Sequence, residues 1–204
     1  MNKSKTSNKS VIRALIIVIS GPSGVGKTTI CDRILERRRD IWYSVSATSR
    51  PRRKGERNGR EYYFLSDAKF KDWIKRKRFI EWAWVHGHLY GTPKQFLADR
   101  IRRGHHVLLD VDVQGGINLK KIFPDGIFIF IRPPSFAELK RRLTKRNTET
   151  PEDLKNRLAA VWREIKCQKK YGYSVVNDDL KRAVDWILEI IDKETATHGE
   201  KFKG

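Results

Sequence analysis

Cysteine is almost absent: the 204-residue chain has two. Cys31 and Cys167 alone cannot build a disulfide framework or a four-ligand zinc site, so a disulfide mini-protein and a cysteine-rich zinc domain are excluded. Long apolar runs are missing too. The longest, near residues 14–19, is far too short to span a bilayer. Glycine (14) and proline (7) are too few for a collagen-like chain. Acid is scarce beside base, 24 Asp+Glu against 44 Lys+Arg, which leaves a net charge of +20 and a pI near 10.2. What is present argues for a folded protein: 39% hydrophobic and 10% aromatic residues exceed what a disordered chain carries. The length suits one domain, or one with large insertions. The expectation is a soluble, very basic globular protein with polyanionic partners: phosphates, nucleic acid or an acidic surface.

Residues 13–20 (RALIIVIS) form a continuous β-rich apolar run, as expected of a strand covered on both faces in a parallel sheet. Glycines then break the chain, and residues 27–38 read as a helix with Ile30, Ile34 and Leu35 on one face. Residues 42–66 are richer in β-formers, with a turn expected at Asn58-Gly59. Residues 67–78 look helical, with Phe70, Trp73 and Ile74 inward and Ser66 as N-cap. Further strands are expected at 107–113 (VLLDVDV), 126–131 (GIFIFI) and 175–176, and helices at 135–144, 152–171 and 180–194. Strands alternating with helices predict a parallel α/β sheet, interrupted by an insertion at about 42–98.

Gly21-Pro-Ser-Gly-Val-Gly-Lys-Thr28 fits the phosphate-loop pattern G-x-x-x-x-G-K-[ST], between a buried strand and a helix. A chance match in this length occurs on the order of 1% of the time. Its glycines let backbone N–H groups turn toward phosphate oxygens, and the helix N-terminus adds its positive end. Lys27 would reach the outer phosphates, and the Thr28 hydroxyl can ligate Mg²⁺. Gly21, Pro22, Ser23, Gly24, Val25, Gly26, Lys27, Thr28 and Thr29 are the candidate ATP-binding residues. The loop announces a nucleoside triphosphate and says little about the reaction.

A second cluster follows: Ser46-Ala-Thr-Ser-Arg50-Pro-Arg-Arg53 and on to Tyr62, then Phe79-Ile-Glu81-Trp82 and Tyr90-Gly-Thr92. Together with the phosphate loop it closely resembles the guanylate kinase family, from about Leu15 to Ile191. Those enzymes move the γ-phosphoryl of ATP to GMP, and also to dGMP, with Mg²⁺. The resemblance implies a P-loop NTPase-type α/β fold, a parallel sheet flanked by helices with a mixed α/β GMP-binding insertion and a helical lid. It implies that Arg50, Arg53, Tyr62 and Tyr90 hold the GMP phosphate, and that Ser46, Glu81 and Thr92 read guanine. Asp110 and Asp112 match two aspartates on the strand facing both substrates, near the acceptor nucleotide and the Mg²⁺ waters. The resemblance does not separate their roles, and both are candidate GMP-binding residues, with Asp112 also a candidate to reach Mg²⁺ through water. The residue chemistry agrees: paired arginine forks suit a dianionic monophosphate. Glu81 can accept from guanine N1–H and the exocyclic amine, where adenine offers no donor. Such a site discriminates by roughly 10⁴–10⁵ when a partner is missing.

A third cluster, residues 138–151 with Asn156-Arg157-Leu, supplies the arginines Arg142, Arg146 and Arg157 that in the family close over the bound phosphates. Asn177 matches a position beside adenine. Positioning and cation placement carry most of phosphoryl transfer, and an anionic GMP phosphate needs no protein base. Lys145 and Asn147 flank Arg146 where the family usually has glycine, so the lid there departs from the pattern. Ala47 replaces an expected hydroxyl residue.

The division expected is a basic tail at 1–10, core at 11–41, GMP-binding insertion at 42–98, core at 99–135, lid at 136–158, core at 159–195 and a tail at 196–204, both tails unstructured. Trp73, Trp162 and Trp186 are expected in the core, and Trp82 and Trp84 beside the guanine pocket. His86, His88, His105 and His106 lack partners at metal-ligand spacing. No secretory or membrane segment is evident, so the cytoplasm is expected, for a monomer or homodimer. The surplus charge at 69–78 and 100–103 suits a solvated surface or nonspecific, salt-sensitive nucleic-acid binding. Three other readings compete: a noncatalytic interaction module, a basic ATP-dependent nucleic-acid binder, and a kinase for another phosphorylated sugar or nucleotide. The intact loop argues against the first, and the guanine-reading set against the other two.

Overall fold

This computed structural model describes residues 14–85, 87–144 and 151–200, with backbone alone at 151–157 and 199–200. The tail at 1–10 and Arg146 lie outside the described residues. Strand β1 (Ile16–Ser20) is buried at every position. It lies at the centre of a parallel sheet with β2 (Ile41–Tyr43), β7 (His106–Asp110), β8 (Ile127–Arg132) and β9 (Tyr173–Val176), in the order β2-β7-β1-β8-β9. Side chains alternate across a strand. Ile17 and Ile19 therefore join one core and Ile16 and Val18 the other. The continuous apolar run in the sequence is the mark of this two-sided burial.

On the Ile17 side pack α1 (Lys27–Arg37), α5 (Phe136–Thr144), α6 (Pro151–Lys166) and α7 (Leu180–Glu200). On the other side lie α3 (Lys94–Arg102) and α4 (Val113–Ile122). The connection leaving β1 runs toward β2 and the one leaving the adjacent β7 crosses to β8 on the opposite side, so a crevice opens at the carboxyl ends of β1 and β7.

A second, mixed sheet has the order β4-β3-β6-β5, from β3 (Ala47–Thr48), β4 (Tyr63–Phe64), β5 (Phe79–Val85) and β6 (His88–Pro93). One face packs on α2 (Asp67–Lys75) through Phe70, Phe79, Leu89 and Ala47, with Phe70 and Phe79 stacked at 4.4 Å. Ser66 Oγ caps α2 by accepting from Lys69 N at 3.2 Å.

Several expectations shift. Residues 42–43, placed at the start of the insertion, pair with β7 in the core sheet. The apolar run 107–113 is a strand only to Asp110, and Asp112 is the N-cap of α4. The helix expected to end at residue 171 gives way at Cys167–Lys170 to a 3-10 turn. Helix α7 continues through the expected C-terminal tail to Glu200, with Thr195 and Thr197 hydroxyls donating to carbonyls one turn back. Trp162 and Trp186 are not core residues: they are 55% and 53% exposed, because Val161, Val184 and Ile187 take the inward positions. Trp82 and Trp84, 45% and 60% exposed, alternate with Glu81 and Ala83 and so leave the pocket for the other face of β5. Among the described residues no helix is long and apolar enough to cross a membrane.

Candidate active site

The phosphate loop leaves β1 at its carboxyl end and turns into α1 at Gly26, whose φ of 92° is left-handed. A Cβ on Gly26 would lie 2.7 Å from Asn177 Nδ2, and one on Gly21 2.4 Å from the Ile131 carbonyl oxygen. Both glycines are therefore demanded by backbone shape and by close neighbours. The loop's own groups close on each other: Lys27 Nζ donates to the carbonyls of Gly21 (2.9 Å) and Pro22 (3.3 Å). Asn177 Nδ2 donates to the Val25 carbonyl at 2.7 Å. Thr28 Oγ1 donates to Asp110 Oδ2 at 3.0 Å, which register with Ile19 sets at the end of β7. Burial pushes the Asp110 carboxyl up, and nearby Lys27 pulls it back down.

One cleft of about 1210 Å³ joins this loop to the second sheet. Gly21, Ser23, Gly24, Gly26, Lys27, Thr28 and Thr29 line it at one end; Ser46, Arg50, Arg53, Tyr62, Glu81 and Tyr90 line it at the other; Asp110 and Asp112 lie between. Pro22, Val25, Thr92, Arg142 and Asn177 do not line it. Val25 is wholly buried in the core. Asn177, expected beside adenine, braces the loop from behind. Arg142 donates to Glu138 Oε1 (2.7 Å) and to the Asn177 carbonyl (3.2 Å), away from the cleft. Arg157 lies on α6, and its side chain is outside the described residues.

At the acceptor end the readers are side chains held by the short strands. Ser46, Arg50, Glu81 and Thr92 are buried. Register sets Glu81 opposite Thr92, and Thr92 Oγ1 donates to Glu81 Oε1 at 2.7 Å. Thr92 thus reaches the cleft through Glu81. Burial, chiefly, with Asp112 adding to it, pushes the Glu81 carboxyl up to about 7, against the pull of Thr92. The donors Thr92 offers do not offset that burial, and the two N–H groups of a guanine edge are what would satisfy the remaining charge. Its space comes from the core: a Cβ on Gly115 of α4 would stand 3.0 Å from Glu81 Oε2. Asp112 accepts from Gln114 N (2.7 Å) and Gly115 N (3.0 Å), and so fixes this first turn of α4.

Arg50 rests over the Tyr62 and Phe64 rings at 5.6 and 5.7 Å, and Tyr62 and Tyr90 meet edge-on at 5.8 Å. Sequence reading missed its main partner. Glu56 takes the guanidinium fork at 2.8 and 3.1 Å and accepts from Arg53 N at 2.7 Å. The signal was an acid three residues after Arg53 in an otherwise basic loop. Gly115 was missed as well, and so was Glu164 of α6, which lines the cleft beside the phosphate loop.

Among the described residues no group of three or more His, Cys, Asp and Glu side chains is arranged to hold a metal alone. The oxygens at the centre of the cleft, Thr28 Oγ1 and the carboxylates of Asp110 and Asp112, suit a hard divalent cation that takes its remaining ligands from water and phosphates.

The guanylate kinase family model matches residues 13–194. A guanylate kinase of Caldanaerobacter subterraneus is 46% identical over 182 residues, covering 89% of this chain and 88% of that one. One of Clostridium perfringens is 47% identical over 191 residues, 94% of this chain and 87% of that one. The crystal structure of guanylate kinase from Anaplasma phagocytophilum superposes with a TM-score of 0.76 at 34% identity, over 90% of this chain and 87% of that one.

Proposed function

Since this chain belongs to the guanylate kinase family, we infer that it moves the γ-phosphoryl group of ATP to GMP, and more slowly to dGMP, releasing ADP and the nucleoside diphosphate. The observation that carries the reading is the shared cleft: a phosphate loop and a buried, donor-hungry carboxylate face one space. ATP lies with its phosphates on the loop N–H groups and Lys27, which leaves the Gly21 and Pro22 carbonyls to reach them. GMP lies against the second sheet, its guanine on Ser46, Glu81 and Thr92 and its phosphate on Arg50, Arg53, Tyr62 and Tyr90. The phosphate of GMP is already an anionic nucleophile, so no protein base is needed and the protein's part is alignment and charge placement.

Magnesium would be held by the Thr28 hydroxyl, with Asp112 acting through water, and when bound it would screen the charge on the transferring phosphates. Arg142, Arg146 and Arg157 are the proposed lid cations. For Arg142 this requires that its bonds to Glu138 and the Asn177 carbonyl exchange for phosphate. The proposed place of action is the cytoplasm.

A coupled ADP-release assay with GMP, dGMP, AMP, CMP and UMP tests the reading. The expected order is GMP, then dGMP, with AMP negligible. AMP turnover comparable to that of GMP would overturn the role of Glu81, and no turnover with any monophosphate would overturn the activity.

A further inference from the structure

We propose that Glu164 sets how tightly the donor nucleotide is held: its carboxylate is an anion built into the phosphate cradle, where it competes with the phosphates of ATP and ADP. The proposal rests on the kinase reading above and concerns a residue which that reading leaves idle.

Glu164, on α6, lines the same cleft as Ser23, Gly24, Gly26 and Lys27. The backbone N–H of Ser23, inside the phosphate loop, is directed at its carboxylate. That N–H is among the donors a phosphate loop offers to its ligand. Glu164 Oε2 is buried and has no hydrogen-bond partner among the described residues. Lys27 does not take it, because its Nζ is held by the Gly21 and Pro22 carbonyls. The charged and titratable groups around Glu164 are Lys27 on α1, Asp112 at the head of α4, Arg163 on its own helix, and Tyr171 beyond the 3-10 turn. Burial pushes the Glu164 carboxyl up, Lys27 and Arg163 favour its charge, and Asp112 and Tyr171 do not.

A buried carboxylate oxygen with no donor is a destabilising feature. A glutamine would fill the same space and accept from Ser23 without the charge. The carboxylate therefore has a consequence that an amide would lack. When ionised, Glu164 sets a negative charge and a rival for Ser23 N–H before every phosphate entering the loop. The loop amides, Lys27 and the helix N-terminus all pull phosphates in. Glu164 opposes them, weakens ATP and ADP together, and speeds the departure of ADP, a step that often limits turnover.

The test is calorimetric titration of wild type, Glu164→Gln and Glu164→Asp with ADP, inorganic triphosphate and adenosine, at pH 8 and low salt. In Glu164→Gln, ADP and triphosphate are expected to bind about tenfold more tightly, with adenosine unchanged, because adenosine carries no phosphate to repel. Its KM for ATP and its kcat are both expected to fall, as product leaves more slowly. A merely structural residue would instead raise KM and lower thermal stability. Glu164→Asp keeps the charge and draws it back by one methylene, so it should tighten ADP by about twofold. It carries the test if Glu164→Gln does not fold. ADP affinity unchanged or weakened in the folded variants overturns the proposal. Wild-type ADP release with GMP, run alongside, separates the two readings: its absence counts against the kinase activity, whereas unchanged ADP affinity counts against Glu164 alone.

Discussion

At the donor end of the cleft the protein offers mostly backbone. The loop sits on a sheet whose strands are buried on both faces, its shape is held by glycines where a Cβ would collide, and one lysine is the main charged side chain. At the acceptor end the protein offers side chains. Glu81 and Thr92 are buried on strands of a mixed sheet whose other face packs on α2, and Ser46 and Arg50 are buried just outside its short strand β3. The physical consequence is a division of labour. Backbone amides read charge and geometry, which every nucleoside triphosphate shares. Side chains read the pattern of donors on a base, which differs between guanine and adenine. Variants should therefore separate the two ends: changes at the donor end should lower turnover with every acceptor, and changes at the acceptor end should alter which acceptor is used.

The largest expected effect is at the donor end. Lys27→Ala should lower kcat by a factor of about 10³ or more, since it removes the cation aimed at the transferring group. Among the described residues its Nζ bonds loop carbonyls alone, so the melting temperature should move by no more than about 2 °C. Thermal unfolding followed by circular dichroism, beside the coupled assay, checks both. Activity retained in folded Lys27→Ala protein would sink the phosphate-loop mechanism.

Next is Glu81→Gln, which puts an amide donor where guanine also donates. GMP kcat/KM should fall by about 10²–10³ while the KM for ATP stays put. The same variant has a pH signature. Glutamate ionises near 4.5 in the unfolded chain, and Glu81 in the fold at about 7. The unfolded chain therefore releases its proton first. The stability that Glu81 lends is full below pH 4.5 and is lost as pH rises through 7, by on the order of 3 kcal/mol. Wild type should thus lose more melting temperature between pH 5 and 8 than Glu81→Gln does, by several degrees. Bound GMP should act in the opposite sense, since its N–H groups favour the ionised form, and stabilise more at pH 8 than at pH 5. Parallel melting curves for the two proteins across that range would refute the assignment.

The donor end was legible in the sequence, because its information is local: a buried strand, eight loop residues and a helix in succession. Much of the acceptor set was legible by family resemblance, with Arg50, Glu81 and Tyr62 all at the cleft. What escaped was whatever depends on partners far along the chain. Gly115-Gly116 reads as a helix breaker, yet it lies inside α4, where a Cβ on Gly115 would press on Glu81 and one on Gly116 would collide with the Tyr171 hydroxyl. The partner of Glu164 is the phosphate loop, on the far side of the chain from it. Trp162 and Trp186 kept a helical period but fall on the outward side, which periodicity alone does not distinguish from the inward one when its neighbours are also apolar. Asp110 and Asp112 looked equivalent in VLLDVDV, whereas one ends a strand beside Thr28 and the other caps a helix.

The smallest effect bears most directly on how separate the two ends are. Gly115 belongs to α4, an element of the core, yet its missing side chain makes space for the guanine reader: a Cβ would stand 3.0 Å from Glu81 Oε2 and 3.4 Å from Val111 Cβ. Alanine at this buried helical position gains about 1 kcal/mol of helix propensity. Against that, Glu81 must shift by a few tenths of an ångström, and Thr92 Oγ1 with it. The gain and the strain are similar in size, so Gly115→Ala should melt within a few degrees of wild type. Its KM for GMP should rise about tenfold, because displaced hydrogen-bond acceptors no longer meet both guanine donors. The KM for ATP should stay the same, because Asp112 caps the helix through backbone N–H groups that alanine retains. A rise in both constants would mean that α4 carries strain from one nucleotide to the other, through Asp112 to the centre of the cleft, and that the two ends are a single coupled site.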